Sequence, residues 1–154
     1  MPVIASRLAA LEIALPEPAK PVAAYVPAVR TGNLVFVSGQ VPFKDGKLMA
    51  TGPVPSVVTF EQARDAARQC ALNGLAALAS MVDGDLDRVR RIVRVGVWVC
   101  SDPGFTDQPK VGNGASELLV QIFGEKGRHA RAAVGSVALP LGATVEVEMV
   151  VEIE

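Results

Sequence analysis

The sequence predicts an α+β fold: an antiparallel or mixed sheet with two helices on one face. Three observations carry this expectation. Residues 90–100 and 145–154 alternate with the two-residue period of strands. Residues 60–81 and 109–123 carry helix start and stop signals. The segments succeed one another as strands, helix, strand, helix, strands, an order that lets helices cover one side of a sheet.

Taken in order, residues 3–14 place Val3, Ile4, Leu8, Leu11 and Leu15 at helical spacing before the prolines Pro16, Pro18 and Pro21. Residues 1–20 are therefore expected to form a docked helix and a semi-rigid strap. Strands follow at 25–29 and 34–41, joined at Thr31-Gly32-Asn33, and Gly46 marks a further turn within 43–48. Thr59 and Gln62 form a capping-box pattern ahead of the helix at 60–81. Its inner stripe is small (Ala63, Ala67, Cys70, Ala71, Gly74) before Leu75 and Leu78, which suits a helix lying close on a sheet. The helix at 109–123 has Asp107 near its cap, Pro109 in its first turn and Gly124 past its end; Gly112 and Gly114 are expected to weaken it.

Within 90–100 one face reads Arg91, Val93, Val95, Val97, Val99, and the other Arg90, Ile92, Arg94, Gly96, Trp98, Cys100. The valine face is the expected core. Within 145–154 the odd positions are apolar, and the even ones include Glu146, Glu148, Glu152 and Glu154. Trp98 beside Arg94, Glu146 and Glu148 makes the second face too polar for a core and too aromatic for plain solvent. Packing against another subunit is the expectation, with a solvated outer face as the alternative.

The 154 residues fit one domain spanning 1–154, and 15 Lys and Arg against 16 Asp and Glu give no broad positive field for nucleic acid or an anionic membrane. Arg88, Arg90 and Arg94 are expected to share a strand face, but aromatics are only 5% of the chain and offer no stacking platform for RNA. Apolar runs fall short of the roughly 18 residues of a membrane span, and Arg7 and Glu12 interrupt the place of a signal-peptide core, so a cytoplasmic protein is expected. Cys70, Cys100 and the single His129 supply neither a disulfide framework nor a His/Cys metal site from one chain.

Dinucleotide, P-loop, zinc-protease and nucleophile-elbow motifs are all missing. What remains is a set of polar residues at strand ends. Arg131, among Ala132, Ala133, Val134 and Gly135, is one long cation in small surroundings. Its planar fork could receive a carboxylate, or it could form a structural salt bridge to Glu146 or another carboxylate of the chain; spacing does not separate the two. Glu146 could orient a water or face solvent, Tyr25 could reach a ligand or fill space, and Gly39 in Ser38-Gly39-Gln40 could admit a ligand or mark a bulge.

Together, Tyr25, the run Gly32-Asn33-Leu34-Val35-Phe36-Val37-Ser38-Gly39-Gln40-Val41-Pro42, Asn113, Ala130-Arg131-Ala132-Ala133-Val134, Leu139-Pro140 and Val145-Glu146-Val147-Glu148 resemble the Rid (YjgF-like) family of reactive-intermediate imine deaminases. The resemblance runs from about residue 21 to the C-terminus. It implies a chorismate-mutase-like fold assembled as a homotrimer, with sites between subunits that hydrolyse small 2-imino acids to 2-keto acids and ammonia without metal or cofactor. It also implies that Arg131 holds the substrate carboxylate, that Glu146 helps position water, and that Tyr25, Ser38, Gly39, Asn113 and the backbone of Ala133 line the pocket. A non-catalytic carboxylate sensor is the alternative, and a ribonuclease or translation inhibitor a third class. The chain departs from the family pattern at Ala23-Ala24-Tyr25-Val26-Pro27-Ala28, at Gly135 where an acid is usual, before Asn113, and in its N-terminal helix, taken as an extension that marks a less characterised branch.

Overall fold

The computed structural model describes residues 2–18, 20 and 23–154. Pro21, the last proline of the expected strap, lies outside the described residues. The first helix, α1 (Val3–Ala10), is shorter than the 3–14 expected and buries only Ile4. Its chain leaves through Glu12 at φ 55°, so Leu15 packs on the core from an irregular segment. Arg7 ties α1 down by donating from Nη1 to the carbonyl of Ile122 at 3.0 Å.

Strands β1 (Ala28–Thr31) and β2 (Leu34–Gln40) flank a tight turn in which Gly32 takes φ 57°, open to glycine without steric cost. The first strand starts at Ala28 and not at 25, because Tyr25 N–H bonds back to Ala23 O in a turn. Pro27 then has no N–H to give a ladder. A small hairpin, β3 (Phe43–Lys44) and β4 (Lys47–Leu48), turns on Asp45 and Gly46 at φ 53° and 78°, the pairing that matches strand twist.

The long helix α2 (Phe60–Ser80) opens with the expected capping box: Gln62 N–H donates to Thr59 Oγ1 at 3.1 Å and Thr59 N–H to Gln62 Oε1 at 3.0 Å. Its small-residue stripe is buried throughout, and at Gly74 a Cβ would come within 2.8 Å of Met149 Cε. Strand β5 (Val89–Cys100) leads to α3 (Gln108–Phe123), β6 (Ala130–Ser136) and β7 (Val145–Ile153). One five-stranded sheet has the order β1-β2-β7-β5-β6, with β5 and β6 parallel and the other pairs antiparallel. Both α2 and α3 lie on one of its faces, as expected.

Val145, Val147, Met149, Val151 and Ile153 are all buried under those helices. In β5 the expected alternation fails at its start. The register against β7 shifts between Ile92 and Arg94, so Ile92 enters the core and Val93 is only half-buried. Such a bulge places two residues opposite one and turns the following side chains over. A second shift, between Val89 and Arg91, and the 3-10 turn at Leu86–Arg88 mean that Arg88, Arg90 and Arg94 do not form one basic row. Arg88 meets Asp83 at 3.5 Å and Arg94 meets Glu148 at 3.3 Å.

The other sheet face carries Trp98 opposite Glu146 and Val134, with Phe36 opposite Val150. Phe36 is 46% and Val134 47% exposed, an apolar surface left open in the single chain. No helix among the described residues is long and apolar enough to cross a membrane.

The two glycines expected to weaken α3 have a packing role instead. A Cβ at Gly114 would collide with the backbone carbonyl oxygen of Arg64 in α2, and Gly112 faces the Arg131 side chain. Gly114→Ala gains about 1 kcal/mol of helix propensity but forces two packed helices apart, at about 1–3 kcal/mol or more. The expected outcome is a lower denaturant midpoint; an unchanged or higher midpoint would show that the contact is not tight.

Candidate functional site

Arg131 sits on β6 opposite Val95, so its side chain lies on the helix side of the sheet. There α3 meets it with neutral acceptors. Nη1 donates to Asn113 Oδ1 at 2.9 Å and to Ser116 Oγ at 3.1 Å, and Nη2 donates to the Pro109 carbonyl at 3.1 Å. Gly112 makes this possible, because a Cβ there would lie 3.2 Å from Nη1. Ala133, two residues on, comes against the same glycine.

A guanidinium has five N–H donors. Among the described residues three of Arg131's are engaged, leaving Nε–H and one Nη2–H for one edge of the plane. The salt bridge to Glu146 allowed by the sequence is not formed, and no described carboxylate pairs with Arg131. The fork is held in place while its charge stays uncompensated. Such an edge matches the two oxygens of a carboxylate.

Glu146 lies elsewhere. Paired with Trp98, it projects on the face opposite the helices, away from Arg131. The register of β2 shifts between Val37 and Gln40, and this bulge brings Gly39 onto the Glu146 carboxylate, which fills the space a side chain at 39 would need. Of the two sequence readings of Gly39, the register shift matches the bulge, and the close neighbour at its Cα is the chain's own Glu146. Burial holds the Glu146 carboxyl above its ordinary range, and Glu148 adds to the effect.

Ser38 Oγ donates to the Val26 carbonyl at 2.7 Å, fixing the loop that carries Tyr25. Tyr25 does not fill space within the chain; it is 52% exposed. With Gly39 and Glu146 it lines a groove of about 980 Å³ that runs on past Leu15, Phe43 and Leu72.

The seven candidate residues thus fall into two groups: Arg131, Asn113 and Ala133 at the β6 edge, and Tyr25, Ser38, Gly39 and Glu146 around β2 and β7. Sequence reading missed Ser116, His129 and the Pro109 carbonyl. Ser116 was within reach, because it follows Asn113 by three positions and so shares its helix face. Both cysteines are buried and free, and burial pushes their thiols up, most strongly at Cys70. Among the described residues no three His, Cys, Asp or Glu side chains converge on one point.

Fold and arginine socket define a chorismate-mutase-like scaffold with small-molecule binding features. Residues 5–153 match the family described as "YjgF/chorismate_mutase-like, putative endoribonuclease". The chain belongs to this YjgF family, the Rid family of the sequence resemblance. The match takes in all but the start of α1, so the comparison gives no support for α1 as an extension beyond the family. The chain is 45% identical to protein TCP17 of Trypanosoma cruzi over 97% of its own length and 94% of that protein's. It is 29% identical to a 2-iminobutanoate/2-iminopropanoate deaminase of Dermatophagoides farinae, over 92% of this chain and 95% of the other. The crystal structure of protein Atu1372 of Agrobacterium tumefaciens, of unknown function, superposes with a TM-score of 0.92 at 45% identity, covering 99% of this chain and 93% of that one.

Because the folded state favours the protonated form of Glu146, that group's contribution to stability is present at low pH and is lost as pH rises through its raised pKa. Glu146→Gln removes this loss. The variant is expected to melt above wild type at pH 7, with the gap closing as pH falls below the ordinary carboxylate range. A gap that is constant with pH would contradict the raised carboxyl.

Proposed function

We propose that the protein is a cytoplasmic imine deaminase that hydrolyses small 2-imino acids to 2-keto acids and ammonia. The observation that carries this reading is the free Nε and Nη2 edge of Arg131, held by neutral acceptors. The name of the Dermatophagoides farinae relative supports the substrate class.

On this reading the chain is a homotrimer. The Arg131 group of one copy faces the Tyr25, Ser38, Gly39 and Glu146 group of the next across the open sheet surface. The exposed Phe36 and Val134 support such an interface. Arg131 holds the carboxylate, with Asn113 and the backbone of Ala133 beside it. Glu146 orients a water at the C=N carbon, which is electrophilic when its nitrogen is protonated. As the water attacks the protonated imine, Glu146 takes one of its protons and the carbinolamine forms. Glu146 returns that proton to the nitrogen, then accepts the hydroxyl proton as the C=O bond forms, the C–N bond breaks and ammonia leaves. A carboxyl with a raised pKa suits such an exchange. Positioning of two small reactants supplies most of the acceleration.

The ribonuclease description of the family finds less support in this chain. The Arg131 fork fits a single small anion, and 15 basic against 16 acidic residues provide no broad field for a polyanion.

The test generates 2-iminobutanoate or 2-iminopropanoate with a pyridoxal-phosphate enzyme and follows keto-acid release. Wild type is expected to accelerate release, and Arg131→Ala to lower kcat/KM by about 10- to 100-fold, the worth of a charge-assisted bidentate pair. No acceleration by wild type, with a keto acid still bound, would select carboxylate binding without turnover. Sedimentation is expected to show a trimer; a monomer would remove the intersubunit site.

A further inference from the structure

His129 is the chain's single histidine and lies just before β6, two residues ahead of Arg131. Its Nδ1 lies 2.6 Å from the carbonyl oxygen of Gly127. A carbonyl only accepts, so Nδ1 carries the proton, and Nε2 of the neutral ring is left as an acceptor. Nε2 lies 2.8 Å from Ser116 Oγ, which fixes the direction of that bond: the serine hydroxyl donates to the ring. With its proton directed there, the Ser116 oxygen presents its lone pairs to Arg131 Nη1 at 3.1 Å. Every donor and acceptor in the row from the Gly127 carbonyl through His129 and Ser116 to Arg131 is then matched, in one direction only.

We infer that His129 is a positioning residue for Arg131, acting through Ser116 to hold the guanidinium with its Nε and Nη2 edge outward. Its consequence for ligand binding rests on the reading of Arg131 as the carboxylate anchor; its effect on the order of the arginine does not. The neutral ring this row requires agrees with the surroundings. Burial lowers the His129 pKa, the Gly127 carbonyl opposes that, and the Arg131 charge lowers it again, for a net downward shift. Without the ring acceptor, the Ser116 side chain rotates to give its proton to another acceptor, such as a carbonyl one turn back in α3, and this takes its oxygen off Nη1. Nη1 then keeps Asn113 alone, and a side chain with about 2 kcal/mol of rotamer entropy regains freedom.

The experiment compares wild type, His129→Leu, Ser116→Ala, the double variant and His129→Gln by two readouts. The first is 15N relaxation at Arg131 Nε, and the second is the calorimetric Kd for 2-oxobutanoate. Wild-type Nε is expected to be nearly as ordered as rigid backbone, about 0.85 in order parameter, falling toward about 0.6 in both single variants. The Kd is expected to rise about fivefold in each, the worth of one net hydrogen bond. The double variant is expected to be no worse than either single, since both break one row, whereas two separate packing defects would add. His129→Gln, which keeps an acceptor for the hydroxyl, is expected to recover part of the order. Unchanged Nε order in His129→Leu, or additive losses in the double variant, would overturn the inference. Should His129→Leu not fold, Ser116→Ala decides by the same readouts. Wild type that binds no 2-oxobutanoate would sink the carboxylate reading, and Nε relaxation would still decide the role of His129.

Discussion

The seat of α3 is the constraint on which the arginine socket depends. At Gly114 the helix touches the backbone of α2, so a side chain there would lift α3 away, and at Gly112 it lies close on the guanidinium, so a side chain there would crowd it. In this seat the Pro109 carbonyl, Asn113 and Ser116 all reach Arg131 on its edge strand. The helix spends two good packing positions on glycine, and gains at Gly114 an approach to α2 that a larger residue does not allow.

The electrostatics follow from that approach. A guanidinium held by carboxylates is neutralised and has little left for a ligand. Arg131 is held by an amide oxygen, a hydroxyl and a carbonyl, which fix its direction and leave its charge. Glu146 is the converse, a half-buried carboxylate whose neighbour Glu148 is drawn to Arg94. The two groups lie on opposite sheet faces, so one chain cannot close them on one ligand. In the proposed trimer the contact is head to tail: the β6 side of one copy meets the β2 and β7 face of the next. Repetition of such a contact around a three-fold axis closes a ring. The chemistry would then exist only in the assembly.

Much of the fold was legible in the sequence because the signals were local. Thr59 and Gln62 announced α2, and Val145 to Ile153 kept a strict alternation that one buried face enforces. The start of β5 was misread because a bulge between Ile92 and Arg94 breaks the period, and alternation carries no mark of where a partner strand slips. Gly112 and Gly114 were read by propensity, whereas tertiary contact decides their role. At the site, residue types and motif order singled out Arg131 and Glu146, but not their faces, which the sheet register sets. His129 escaped because a lone histidine has no motif; only the distances to Gly127 and Ser116 give it a direction.

In the proposed trimer the Nε and Nη2 edge of Arg131 is a carboxylate site completed by a second copy. The most direct measurement is a crystal structure of the protein with 2-oxobutanoate. The expected result is the ligand's carboxylate on that edge, with its keto carbon facing Glu146 of a neighbouring copy. A structure with a carboxylate of the protein itself on the Arg131 edge, or with the ligand bound away from Arg131, would contradict it.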